Sequence, residues 1–126
     1  MSLRPERQRV ADLVPGWQGN GVIGFNFRGY DNYNDREKSA FDALKDNLLM
    51  AGVRHPLITW RGHVLIGQRR LTIIKAHPMV LGEWADCLEV EQDMQHWQHS
   101  SVSNLVASVR GIYRDMDRGV RSYAYS

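Results

Sequence analysis

The strongest pattern in the chain is a change of hydrophobic period near its middle. Leu57, Ile58, Thr59 and Trp60 form an unbroken β-branched, aromatic or apolar run and predict a strand. Arg61-Gly62 breaks the run, and His63, Val64, Leu65 and Ile66 predict the returning strand. Residues 57–66 are therefore expected to form a β-hairpin with a two-residue turn. From Gly67 the period becomes helical, with Leu71 and Ile74 on one side until Pro78 ends the run. Gln68, Arg69 and Arg70 thus open a helix directly after a buried strand.

Two longer helices flank this motif. Phe41, Leu44, Leu48 and Met50 or Ala51 give an apolar stripe over 35–51, with Asn34 or Asp35 as cap and Gly52 as the left-handed stop. Val102, Leu105, Val106, Val109, Ile112, Tyr113 and Met116 predict a wide-faced helix from a Ser101 or Ser103 cap to about Arg118. Weaker signals complete the chain. Pro5 followed by Val10, Leu13 and Val14 predicts a short basic helix over 4–14. Gly19-Asn20-Gly21 predicts a turn before a first strand, Val22 to Phe27, and a polar loop follows to Asn34. Glu83 to Asp86 reads as a connection and Cys87 to Glu91 as the last strand. The expected class is α+β: one domain over 1–126, a mixed sheet with a central β-hairpin flanked by helices.

Residues 68–70 carry the first candidate chemistry. A helix start offers free backbone N–H groups and the positive end of the helix dipole. Arg69 and Arg70 add fork-shaped donors that match phosphate oxygens. Elsewhere the charge is nearly balanced, at +2 over 126 residues, so bulk electrostatics do not single out nucleic acid. The single cysteine, Cys87, excludes an internal disulfide and suits a reducing cytoplasm. No apolar run suggests a membrane span, and the start MSLRPERQRV lacks the apolar core of a signal peptide.

GVRHPLIT, seven residues, then GQRRLTIIKAH resembles the ParB/sulfiredoxin superfamily. That family has a Gly-x-x-x-Pro-[Leu/Ile] segment before a hairpin, here Gly52, Pro56 and Leu57. A Gly-[Glu/Gln/His]-[Arg/His]-Arg segment then opens a helix, here Gly67, Gln68, Arg69 and Arg70. The resemblance covers roughly residues 22–91. It implies phosphate or nucleotide binding at Gly67, Gln68, Arg69 and Arg70, with a nucleoside triphosphate and Mg²⁺ as ligand. It also implies a setting in the DNA metabolism of a phage or mobile element, and a loop carrying Tyr30 and Tyr33 near the nucleotide. Two departures narrow the expectation. The sulfiredoxin-type catalytic cysteine is missing from the GQRR segment, so Cys87 reads as buried and inert. QHSSVSNL does not reproduce the Asn-rich third box of partitioning proteins, which weighs against a nucleotide-dependent clamp.

Other residues keep rival classes open. Asp35 and Glu37 suit the first turn of a helix, and are also the best-placed carboxylates for a metal-dependent DNA nuclease. Arg110, Arg114 and Arg118, with Arg121, fall on one line of the last helix and fit nucleic-acid phosphates or a solvated face. That helix is also the expected surface for a homodimer or protein partner. His96 and His99 lack the companions of a zinc site, and no metal ligands are assigned. The readings are a nucleotide- or DNA-phosphate-binding domain, with slow NTP hydrolysis as its enzymatic form; a nuclease; and an interaction module that keeps only the fold.

Overall fold

The structure is a computed structural model and describes residues 2–18 and 25–126. The chain opens with strand β1, Leu3–Arg9, a one-turn 3₁₀ segment at Val10–Asp12, and the short strand β2, Val14–Pro15. A second 3₁₀ turn, Tyr30–Asn32, precedes helix α1, Asp35–Ala51. Strands β3, Leu57–Trp60, and β4, His63–Ile66, form the expected hairpin and lead into α2, Gln68–Ala76. The short helix α3, Pro78–Leu81, strand β5, Trp84–Val90, a 3₁₀ turn at Met94–His96 and helix α4, His99–Asp117, complete the order.

Among the described residues the strands form one mixed sheet in the order β1-β5-β3-β4-β2. β1 runs antiparallel to β5, and β5 runs parallel to β3. The hairpin is antiparallel, and β2 runs parallel to β4. The sheet is buried on both sides, which is why all four residues of β3 are buried. Ile58, Trp60, Leu65, Leu88 and Val90 pack on Leu105, Val109 and Ile112 of α4. Leu57, Val64, Ala85 and Cys87 pack on Leu71 and Ile74 of α2. Each of the Leu, Ile and Val side chains among them contributes about 1.5–3 kcal/mol by leaving water. The apolar face of α4 is therefore covered by the sheet.

The expected helix over 4–14 is a strand and a 3₁₀ turn instead. β1 pairs with β5 from Leu3↔Val90 to Arg9↔Trp84. The Glu91 N–H donates to the Ser2 carbonyl and the Val10 N–H to that of Glu83, so even-numbered residues bond β5. Pro5 is odd-numbered, and its missing N–H would face the outer edge of the sheet, where proline is tolerated. The same pairing lengthens β5, because Trp84–Asp86, expected as a connection, lie opposite Arg9, Gln8 and Arg7. Of the strand expected at Val22 to Phe27, residues 22–24 lie outside the described residues, and Phe25 makes a single bridge to Trp17. Helix α4 begins at His99 behind Gln98, not behind a serine cap. Ser101 and Ser103 fall inside it.

The hairpin turn takes positive φ at both central residues, Arg61 at 48° and Gly62 at 83°. A polar network anchors it from β5. Glu89 accepts from the Arg61 N–H at 2.8 Å and, through its other oxygen, from the buried Thr59 hydroxyl at 2.6 Å. Gln8 donates to both Thr59 and Glu89 and so ties in β1.

Cys87 lies fully buried in the sheet. Burial first, then the charges of Asp86, Glu89 and Glu6, push its thiol up to about 12. The unfolded chain releases that proton near pH 9. The Cys87 contribution to stability is therefore complete below about pH 9 and declines as pH rises toward the folded value. Urea midpoints should fall as pH rises from about 9 toward about 12, and less so in Cys87→Ala. Rapid alkylation of native Cys87 at neutral pH would contradict this burial.

Candidate functional site: an arginine-lined groove

An open groove of about 710 Å³ lies where the 25–28 loop, the start of α2 and the middle of α4 meet. Leu65, Ile66, Val106 and Val109 line its apolar side, and Arg28, Arg69, Arg70 and Arg110 line it as well. The GQRR motif thus lies at a concave surface, but its four residues do different things.

Gly67 caps α2 with φ 99° and ψ 23°, a left-handed conformation that favours glycine. The space above it is already filled. A Cβ there would lie 2.6 Å from Leu57 Cδ2 and 2.8 Å from an Arg70 Nη atom. The glycine serves close packing, where the sequence suggested the approach of a ligand. Gln68 Nε2 donates to the Phe25 and Leu65 carbonyls, at 3.2 and 3.1 Å, and fastens the loop to the end of β4.

The Arg70 guanidinium folds back over Gly67 into the protein. It donates to the His55 carbonyl at 2.5 Å and to the Tyr113 hydroxyl at 2.9 Å. Tyr113 in turn donates to the Pro56 carbonyl at 2.6 Å. Burial raises the Tyr113 phenol, with Arg70 pulling the other way, so the hydroxyl stays a donor at neutral pH. His55 stacks on the Tyr113 ring at 4.4 Å and 4°, with Nε2 2.7 Å from Asp117. Arg70 has no carboxylate partner among the described residues: Glu37 is taken by Arg28 and Arg69, and Glu89 by Thr59 and Arg61.

Arg69 turns the other way. Its Nη2 lies 3.4 Å from Glu37 Oε2, and its guanidinium lies over the Tyr33 ring at 4.7 Å. Arg28 pairs with the same Glu37 oxygen and lies over the same ring at 5.5 Å. Tyr33 is buried, and its ring carries guanidiniums from both the loop and α2. No side chain caps α2, which leaves its first N–H groups without an acceptor among the described residues.

Asp35 and Glu37 both lie in the first turn of α1. They sit two apart on α1 and do not face each other. Asp35 is exposed, while Glu37 completes a capping box with Asn34 through one oxygen and holds two arginines with the other. No group of three or more metal-binding side chains occurs among the described residues. His96 lies in a 3₁₀ turn and His99 at the start of α4. Of the arginine line on α4, Arg110 borders the groove, and Arg110, Arg114 and Arg118 have no carboxylate partner among the described residues. Arg121 leaves the line to pair with Asp115 at 3.1 Å. Arg28 and the latch formed by His55 and Tyr113 were not visible as site residues in the sequence; the Tyr33 loop position was the only local signal.

No family model matches the sequence, and no curated protein matches it. The fold does have a solved counterpart. A structure described as the C2221 form of a Pnob8-like ParB-N domain is similar over 88% of this chain, at a TM-score of 0.54 and 19% identity. The chain spans 38% of that structure's length. The protein therefore has a ParB-like α+β fold. No helix among the described residues is long and apolar enough to cross a membrane.

Proposed function

We propose that this groove binds the phosphates of a nucleotide, with Arg69, Arg28 and Arg110 as contacts and Gly67, Gln68 and Arg70 as the frame that holds them. One observation carries the reading: two guanidiniums from separate segments converge on one acceptor beside the uncapped start of α2. A phosphate oxygen has the same needs as that acceptor, and the helix start adds N–H donors. The apolar side of the groove, with Val106 and Val109, suits a base or ribose. Resemblance to ParB-like proteins supports a nucleoside triphosphate and a role in the DNA metabolism of a phage or mobile element. A nuclease reading loses support because Glu37 is held by arginines.

A second reading has its own observation. Arg110, Arg114 and Arg118 are exposed and unpaired among the described residues, as a surface for nucleic-acid phosphates requires. A thermal-shift panel of CTP, ATP, GTP and ADP, with and without Mg²⁺, tests the first reading, since a ligand of the native state raises its stability. At least one triphosphate should raise the midpoint. Duplex DNA binding tests the second. Replacing Arg110, Arg114 and Arg118 by Gln should flatten the log–log salt slope by about 0.9 per lost phosphate contact. An unchanged slope returns these residues to solvent, and a flat nucleotide panel removes the first reading.

A further inference from the structure

We infer that Glu37 competes for the groove's arginines: its carboxylate is clamped by Arg28 and Arg69, both of which line the groove, and an incoming oxyanion must replace it. This rests on the reading of the groove as a phosphate site.

The two oxygens of Glu37 have separate duties. Oε1 accepts from the Asn34 N–H at 3.2 Å, while the Asn34 side chain accepts from the Glu37 N–H at 2.8 Å. That reciprocal pair is sufficient for capping α1. Oε2 takes no part in it and is the atom approached by Arg28 and Arg69. Helix α1 needs a side-chain acceptor at this position, but it does not need a negative charge shared by two arginines.

The position suits an anion from every side. Glu37 lies in the first turn of α1 and Arg69 in the first turn of α2, so the positive ends of two helix dipoles meet there. Two guanidiniums against one carboxylate leave an excess positive charge, and Arg110 adds another at the groove. The clamp is also open to exchange. The side chains of Arg28 and Arg69 are 54% and 41% exposed, and that of Glu37 is 21% exposed, so water reaches the clamp from the arginine side. Ion pairs this exposed are weak, so a multiply charged ligand displaces the carboxylate without unfolding anything. The ligand class follows: a tetrahedral oxyanion with enough charge to compete with one fixed carboxylate, as a polyphosphate chain has.

Glu37→Gln tests the inference cleanly. Glutamine also satisfies a capping box, so α1 keeps its start while the competing charge disappears. Isothermal titration would use inorganic tripolyphosphate as probe, on the full chain, for wild type and Glu37→Gln. Removing a like charge a few ångströms from the ligand, in a solvent-screened groove, should tighten binding about tenfold. Binding by the variant alone supports the inference equally. Equal or weaker binding by the variant, with the wild type still binding, overturns the inference and leaves the phosphate site standing. No binding by either protein ends both. If Glu37→Gln does not fold, as judged by circular dichroism, Glu37→Asp replaces it: the shorter side chain withdraws from the arginines and should also tighten binding, by a smaller factor.

Discussion

Arg70→Ala should destabilise the fold by about 3 kcal/mol, the largest stability loss expected from a single change at this groove. The expectation rests on what the guanidinium touches. It bridges the loop before β3 to helix α4 through the His55 carbonyl and the Tyr113 hydroxyl. A hydrogen bond from a charged donor contributes about 1.5–3 kcal/mol, and a carbonyl left without a partner in a part-buried site costs about 1–3 kcal/mol more. Tyr113 keeps its bond to Pro56, so the loss is not the full sum. For a domain of this size the melting midpoint should fall by about 10 °C. Arg70→Lys should recover only part of it, because a single ammonium cannot reach both acceptors as the fork does. An unchanged urea midpoint in Arg70→Ala would show that α4 is held by its apolar face alone. The sequence suggests the opposite outcome for this variant, lost phosphate binding on an intact fold. The geometry makes Arg70 a support.

Adjacent arginines illustrate where sequence reading stops. Over 35–76 local chemistry decides the structure: the Asn34–Glu37 capping box starts α1, Gly52 at φ 79° ends it, and Arg61-Gly62 turns the hairpin. The change of period at Gly67 places Arg69 and Arg70 in the first turn of α2. It does not say which of them faces outward. Successive helical side chains point about 100° apart, and the rotation of α2 is set by Leu71 and Ile74 packing on β3, β4 and β5. Arg28 and Glu37 join Arg69 only through tertiary contact, so spacing could not reveal the clamp. The amino-terminal segment fails for a related reason. Its strand character comes from β5, some eighty residues away, through pairs such as Arg7–Asp86 and Arg4–Glu91. Pro5 fits the first turn of a helix as well as the outer side of an edge strand, and local pattern cannot choose between them.

Arg69→Ala should give the complementary phenotype, a large loss of phosphate binding on an unchanged fold. A guanidinium–phosphate contact contributes about 1.5–3 kcal/mol, so affinity for a triphosphate should fall by about ten- to a hundredfold. The stability change should stay within about 1 kcal/mol, because the Arg69–Glu37 pair is partly exposed and 3.4 Å long. Arg28 continues to pair with Glu37 after the substitution, so no carboxylate is stranded. Besides that weak pair, the stacking of the part-exposed Arg69 on Tyr33 is lost, worth about 0.5–1 kcal/mol. Arg69→Lys should restore part of the affinity through charge, but not the two-pronged contact. Titration calorimetry and urea denaturation of the same preparations separate the two arginines. Arg69→Ala should move affinity alone, whereas Arg70→Ala should move the midpoint first. If Arg69→Ala binds triphosphate like the wild type while a folded Arg70→Lys does not, the phosphate contact lies with Arg70, and the inward-folded guanidinium must swing out to meet its ligand.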